Sequence, residues 1–415
     1  MADVDTEPLA GETGRILLSS DPDVHDLARR IGERAALSQA DARRLVYRVA
    51  AELNARFFPP ITKMELVLTE SCNLACAYCF EKPMRGTRRM RPAVARAAVD
   101  LLIEYSGEET ALEVTHFGGE PLLNFSTLVS ATEYGQDRAA AAGKSIAFSI
   151  TTNGLLLDEE IADYLAKHKI KVLLSIDGPA RSHDNYRIDR QGRGTFGRVL
   201  AALNLLKTRQ PWIGAKMTVM PGNTPRLSED VQALYALGVN QFLIGHATGV
   251  EWTAEEIETY AGQLAQLLDW YRESPRKDLR ITEFEDEGSA APHFGCQAGR
   301  DSISISATGE VSSCSKVLAL DNRRLIAKLG DVRYGLTHLA NRAELVNCSG
   351  LESACGALGI AADFRGGCLA ANYEQNGDLF QPNLQDHEFS KLNRMTRAAR
   401  HGMPAPTKVN TAPEG

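Results

Sequence analysis

From residue 63 onward one pattern recurs along the chain. Short apolar runs rich in β-branched residues, "MELVLTE", "ALEVTHF", "SIAFSITT", "VLLSID", "GAKMTVM" and "NQFLIGH", alternate with longer amphipathic stretches such as "RPAVARAAVDLLIEYS", "DEEIADYLAKH" and "SEDVQALYALG". The runs are strand-sized, and the stretches between them carry apolar residues at helical spacing. Parallel neighbours need crossover connections, so six strands alternating with helices predict a parallel sheet with helices outside. The expected fold class is α/β, a partial (β/α)6 TIM-like barrel, though a flat doubly wound sheet has the same order. Either way the ligand site lies at the C-terminal ends of the strands.

The flanks read differently. Residues 21–57 carry alternating charge and predict two helices closed by "FFPP", with "RILLSS" as the one strand-like run before them. A long helix is expected near 253–274, followed by a polar, acidic stretch that looks like a boundary. Beyond Cys296 the chain is rich in Gly, Ser and Cys, with a hairpin in "SISISATGEVSSC" turning at Thr308-Gly309. The expected division is an N-terminal helical extension (1–60), the barrel (61–285), a small Cys-rich C-terminal domain (286–390) and a disordered tail (391–415).

Composition narrows the class. A hydrophobic share of 44% and a charged share of 24% are ordinary for a globular protein of 415 residues. The net charge of −7 offers no basic face for nucleic acid. No apolar run reaches membrane length and the acidic start resembles no export signal, so a cytoplasmic protein is expected. Its eight cysteines are then reduced thiols, better suited to metal than to disulfides. They fall into two groups: Cys72, Cys76 and Cys79 directly after the first strand, then Cys296, Cys314, Cys348, Cys355 and Cys368.

Structural zinc asks for four tetrahedral ligands in paired blocks, which C-x3-C-x2-C does not supply. An iron–sulfur cube on three thiolates leaves one iron without a protein ligand, open to a small molecule. Here "CNLACAYC" resembles the signature of the radical S-adenosylmethionine (SAM) enzymes, with Tyr78 at the aromatic position. "GGEP" at 118–121, "TTNG" at 151–154, "SIDGP" at 175–179 and "HDNYR" ending at Arg187 follow in the family's order.

The resemblance implies a 4Fe–4S cluster on Cys72, Cys76 and Cys79. Methionine amino and carboxylate groups would chelate its open iron, and an injected electron would yield a 5′-deoxyadenosyl radical that abstracts hydrogen. It also implies cofactor-binding roles for Tyr78, Gly118, Gly119, Glu120, Asn153, Ser175 and Arg187. The glycines admit close backbone approach, and Glu120 accepts from the methionine ammonium. Ser175 and Arg187 take its carboxylate, which a guanidinium fork suits. Asn153 serves either the ribose or the turn, Asp177 has a turn reading as Asp-Gly-Pro, and His183 is read as structural. No catalytic residue is assigned.

Cys296-x12-Gly309-x4-Cys314, "LGDVRYGLTHL" and "RGGCLAANYEQNGDL" resemble a SPASM domain, the extension that carries auxiliary iron–sulfur clusters in peptide-modifying enzymes. Its central pattern, laid from Cys355, gives Leu358, Phe364 and Cys368, so two of four ligands are missing. The shortened, twitch-type version is implied, with at least one auxiliary 4Fe–4S cluster. Cys296, Cys314 and Cys368 are its leading ligands and Cys348 or Cys355 the fourth, the other being a spare thiol; zinc on the same residues is the alternative. Sulfatase maturases of this family carry an acid where this chain has Ser315.

The implied activity is radical modification of a ribosomally made precursor peptide by side-chain crosslinking. A maturase of the anaerobic sulfatase or quinohemoprotein amine dehydrogenase type is the alternative, and an iron–sulfur electron carrier the non-enzymatic one. The implied partners are the peptide and a flavodoxin- or ferredoxin-like donor; nucleic acid and membrane are excluded. The N-terminal helices are either a leader-peptide reader or a cap. The loop bearing Lys82, Arg85, Arg88, Arg89 and Arg91 is either an attractor of acidic peptide or a solvated run.

Overall fold

The structure, a computed structural model, describes residues 7–19, 22–273, 278–285, 294–320, 328–361 and 364–400. Helices α1 (Glu7–Leu17), α2 (Val24–Ala35) and α3 (Gln39–Phe57) come first. Strands and helices then alternate as β1 (Lys63–Val67), α4 (Pro92–Tyr105), β2 (Ala111–Phe117), α5 (Phe125–Ala141), β3 (Ser145–Thr152), α6 (Glu159–Lys167) and β4 (Lys171–Ser175). After α7 (Ala180–His183) and α8 (Phe196–Lys207) come β5 (Ile213–Val219), α9 (Leu227–Ala236), β6 (Gln241–His246), α10 (Ala254–Glu273) and the short β7 (Arg280–Ile281). The remainder forms β8 (Ser302–Ile305), β9 (Glu310–Ser312), α11 (Ser315–Leu318), β10 (Lys328–Asp331), α12 (Leu339–Asn347), α13 (Ser349–Ala357), α14 (Leu369–Asn376) and α15 (Leu384–Arg400).

These elements make two compact units. The first comprises Met1–Cys72, Phe80–Ser149 and Gln297–Cys348; the second comprises Asn73–Cys79, Ile150–Cys296 and Ser349–Gly415. This cut differs from the division expected from the sequence, because β8 of the Cys-rich region pairs parallel with β1. Strand order in the first unit is β10-β9-β8-β1-β2-β3, with β8/β9 and β9/β10 antiparallel. In the second it is β3-β4-β5-β6-β7, parallel from β4 to β7. The six alternating strands and the hairpin, with Gly309 at φ 96° in its turn, stand where the sequence predicts them.

The described N-terminal residues form three helices; Arg15–Leu17 of the strand-like run close α1, with Leu17 packed in the core of α2 and α3, and Leu18 lies in the turn after it. Asp23 and Ser38 cap the next two helices by accepting the Asp26 and Asp41 N–H groups (2.9 and 3.1 Å). At the other end α15 runs to Arg400, so residues 391–400 are helical and bury Leu392, Thr396 and Ala399; 401–415 lie outside the described residues.

In the first unit the two faces of the sheet differ. Met64, Leu66, Val114, Ile303 and Ile305 are buried, and on their face His116 Nε2 meets Thr132 of α5 (3.0 Å). The opposite face carries a polar row in register: Ser312 beside Ser304, Ser304 beside Glu65, Glu65 beside Thr115. Thr115 Oγ1 in turn meets Ser149 Oγ of β3 (2.9 Å). Ser304 and Ser312 of this row are buried, so this face is covered although it reads polar.

One buried cation staples this unit. Arg342 of α12 donates to Gly299 O (3.1 Å), Pro59 O (2.6 Å), Arg300 O (3.0 Å) and Asn54 Oδ1 (2.6 Å). Burial pushes its guanidinium down to about 10.

Candidate functional site

The cysteine loop of the second unit is held as a strand-like segment. Leu74 bridges to Asp189, Ala75 N–H donates to Ile188 O (2.8 Å) and Ala77 N–H to Tyr186 O (2.9 Å). Asp189 is fixed in turn by Arg193 and Arg198 (2.9 and 3.0 Å). Asn153 Nδ2 donates to Asn73 Oδ1 (2.8 Å) while its Oδ1 accepts Leu155 N–H (3.0 Å), so it shapes the turn and ties it to the loop.

Tyr78 enters a charged set that sequence reasoning did not assemble. Its hydroxyl donates to Asp177, and the Arg187 guanidinium lies 5.3 Å from its ring centroid. Arg187 grips Asp177 with Nε and Nη2 (both 2.9 Å) and gives Nη2 also to Lys216 O (3.1 Å). Thr218 N–H adds a further donor to Asp177 (2.9 Å). Burial works against the Arg187 charge, but the Asp177 carboxylate outweighs it and holds the guanidinium above its usual value. Asp177 is therefore more than the turn residue its Asp-Gly-Pro setting suggests. Ser175 ends β4 in register with Lys216, one residue before the turn to Asp177.

His183 stands under this set. Thr195 Oγ1 donates to Arg187 O (2.8 Å), so His183 Nε2–H donates to Thr195 Oγ1 (2.9 Å) and Nδ1 faces the Asp177 N–H (3.4 Å). Burial and the nearby Arg187 charge press the imidazole down to about 4. It is a neutral structural residue.

In the first unit, "GGEP" packs on the segment leading into Cys72. Gly118 has φ 114°, and a Cβ there would sit 2.5 Å from Thr69 O. A Cβ on Gly119 would collide with Ser71 O. Gly119 and Glu120 N–H groups donate to Thr69 O and Ser71 O (both 2.9 Å). The glycines thus admit the chain's own backbone. Glu120, buried, accepts Leu122 N–H (3.0 Å).

Two further carboxylates of this unit had no sequence signal. Glu65 Oε2 accepts from Ser304 Oγ and Ser315 N–H (both 3.2 Å). Glu81 is 6% exposed, and its Oε1 has no hydrogen-bond partner among the described residues. Burial first, then Glu65, raise its carboxyl to about 8, with Arg85 opposing and Glu120 adding.

All eight cysteines are free thiols. Cys72 and Cys76 are buried and Cys79 half-buried. Cys314 caps α11 and accepts Val317 N–H (3.3 Å). Cys348, in a left-handed conformation, points its thiol at Leu345 O (3.1 Å). Burial raises the Cys355 thiol. Cys296 and Cys368 are half-buried, and Cys368 N–H donates to Asp386, which also binds His246 (2.8 Å). Among the described residues no three His, Cys, Asp or Glu side chains converge as ligands of a single metal ion. A multi-iron cube binds each thiolate through a different iron, so single-ion spacing is not its criterion. Three undisulfided thiols within 72–79, on a loop fixed through its backbone, suit such a cube.

Residues 66–236 match the model of the radical SAM superfamily. This chain carries a radical SAM domain. Mycofactocin maturase MftC of Mycobacterium tuberculosis is 27% identical over 350 residues, covering 79% of this chain and 84% of that protein. A serine-type anaerobic sulfatase-maturating enzyme of Bacteroides thetaiotaomicron is 33% identical over 159 residues, 37% of this chain and 38% of the relative. A solved structure of native anSMEcpe with bound AdoMet and Cp18Cys peptide shares the fold at TM-score 0.65 and 19% identity, over 83% of this chain and 100% of that one. The chain spans 58%, 34% and 38% of the length of three curated relatives that it matches. The radical SAM domain implies a 4Fe–4S cluster and SAM as cofactors, and auxiliary clusters are typical of maturases. No helix among the described residues is long and apolar enough to cross a membrane.

Proposed function

We propose that this protein is a radical SAM enzyme that crosslinks side chains of a ribosomally made precursor peptide. The observation that carries the reading is the reach of its likeness to MftC. A match of 350 residues cannot fit inside the radical SAM stretch of 66–236, so it extends into the Cys-rich region. The peptide held by the similarly folded anSMEcpe supports a peptide substrate.

In this reading Cys72, Cys76 and Cys79 hold the SAM-binding cluster, whose reductive cleavage of SAM supplies the 5′-deoxyadenosyl radical. Glu120 and the backbone at Gly118 and Gly119 receive the methionine ammonium. Ser175 and Arg187 receive its carboxylate. Arg187 spends Nε and Nη2 on Asp177, which leaves Nη1 to offer and fixes where it is offered. Tyr78 lines the same loop, and Asn153 keeps its turn closed.

Cys296, Cys314, Cys348, Cys355 and Cys368 supply at least one auxiliary 4Fe–4S cluster. Cys348 fits the spare, since its thiol is engaged with a carbonyl. A flavodoxin- or ferredoxin-like protein delivers the electron, and the enzyme works in the cytoplasm.

Maturation of a sulfatase-type protein is the second reading, favoured by the 33% identity to the Bacteroides enzyme. Ser315 speaks against it, being a poor base at neutral pH. Co-expression with candidate short peptides from neighbouring reading frames, followed by mass spectrometry, tests the first reading: loss of two hydrogens is expected in the substrate peptide. An unchanged mass with a reconstituted cluster and reductant present would overturn it. An electron carrier would release neither 5′-deoxyadenosine nor methionine when reduced with SAM.

A further inference from the structure

The chain as a whole is acidic, with a net charge of −7, yet one stretch of it carries only positive charge. Between Glu81 and Asp100 there is no Asp or Glu, while Lys82, Arg85, Arg88, Arg89, Arg91 and Arg96 all fall there. All are exposed except Arg85, which is half-buried. Arg88 pairs with Glu70 (2.7 Å) and still keeps its side chain 59% exposed; Glu70 and Glu310 are the acids that act on it. Arg89 and Arg91 form no ion pair among the described residues. Arg91 is also the N-cap of α4, whose first turn holds no acid, so these charges stand against the helix dipole.

The stretch is held in place. Glu70 N–H donates to Arg88 O (3.0 Å), Met90 N–H to Leu68 O (2.8 Å) and Ser71 Oγ to Gly86 O (2.8 Å). Residues 86–90 thus lie as a strip along 68–71, with Thr69 and Arg89 bridged as in an antiparallel pair. Cys72 follows at once. One step of about 4.8 Å between strands and two residues along the chain put the strip's backbone roughly 10 Å from that cysteine. Beside the strip opens a hollow of about 410 Å³, lined among others by Met84, Arg85, Arg88, Leu318 and Leu320.

We infer that this strip is the docking surface of the electron donor, a protein with an acidic face around a flavin or iron–sulfur centre. One electron passes from the donor's reduced centre to the 4Fe–4S cluster on Cys72, Cys76 and Cys79, and no covalent bond forms or breaks. Charge complementarity selects the partner, and the fixed strip holds it at short range from the cluster. An acidic peptide would use the charges but not their fixed placement beside Cys72. The inference rests on the proposed cluster and protein donor, and goes beyond them in saying where that donor binds.

The test uses the full-length, reconstituted protein and an acidic flavodoxin as probe. Binding of oxidised flavodoxin is read by calorimetry, and bleaching of the cluster by reduced flavodoxin by stopped flow. Arg89→Glu combined with Arg91→Glu should weaken binding and slow that bleaching roughly 10-fold or more at low salt. High salt should erase the difference between variant and unaltered protein. Bleaching by reduced methyl viologen, a small cation, should not slow. Unchanged binding and bleaching with flavodoxin overturn the inference. Equal slowing with methyl viologen means the charges serve the cluster itself, and overturns it too. So does acetyl-(Asp-Gly)4-amide binding the unaltered protein as tightly as flavodoxin does, which would assign the strip to a peptide. If the double variant fails to fold, Arg89→Gln and Arg91→Gln, each alone, decide by the same readouts. Peptide modification driven by methyl viologen tests the proposed function without the donor, so the two can fail separately.

Discussion

Two buried charge sets in this protein are built on opposite principles. Around Asp177 every oxygen is used: Arg187 twice, Thr218 N–H and the Tyr78 hydroxyl. Around Glu81 one oxygen has no partner, and the neighbouring charges are mostly of its own sign. The first set is a brace, rigid because it is saturated, and it fixes the loop that carries Tyr78 and the cysteines. The second is unsaturated. Saturation makes the first set rigid; the second carries an unsatisfied buried oxygen that the fold has to tolerate.

The comparison breaks most sharply at Arg187. Arg187→Ala strands the Asp177 charge and should cost about 3–5 kcal/mol in urea denaturation; a loss near zero would mean the brace is not one. Next comes pH. His183 has a folded value of about 4 against an ordinary 6.5. Its contribution is complete above 6.5 and is lost as pH falls towards 4, on the order of 3 kcal/mol. His183→Gln should flatten that part of the stability profile. Gly119→Ala forces a methyl onto the Ser71 carbonyl and should cost about 1–3 kcal/mol. Reconstituted iron should fall with it, because Cys72 is the next residue. Tyr78→Phe removes one of Asp177's donors and should cost only ~1 kcal/mol. Glu81→Gln at neutral pH should change stability by less than ~1 kcal/mol, since no protein partner loses a bond. A cost as large as that of Arg187→Ala would make Glu81 part of a second brace.

Much of the barrel was legible because each strand–helix unit carries its own pattern. The cysteine loop was legible because its spacing is local. Asp177 had an Asp-Gly-Pro turn as one alternative and no named partner, since nothing in "SIDGP" announces that an arginine ten positions later will grip it. Glu65 and Glu81 gave no signal at all; one is a lone acidic residue in a largely apolar strand, the other a charge in a charged loop. The alternating "SISIS" was read correctly as one arm of a hairpin. Its serines' destination was hidden, because the parallel pairing of β8 with β1 joins residues 239 positions apart.

That pairing also sets a timetable for biosynthesis. At about 5–20 residues per second, β1 leaves the ribosome roughly 10–50 s before β8 can cover its edge. The Arg342 staple to Asn54 and Pro59 closes later still, across 288 positions in the case of Asn54. During that interval the nascent chain carries an open strand edge beside an apolar face, the condition under which chains recruit one another. A barrel expressed alone and ending at residue 285 would keep that edge permanently, and inclusion bodies are its expected fate.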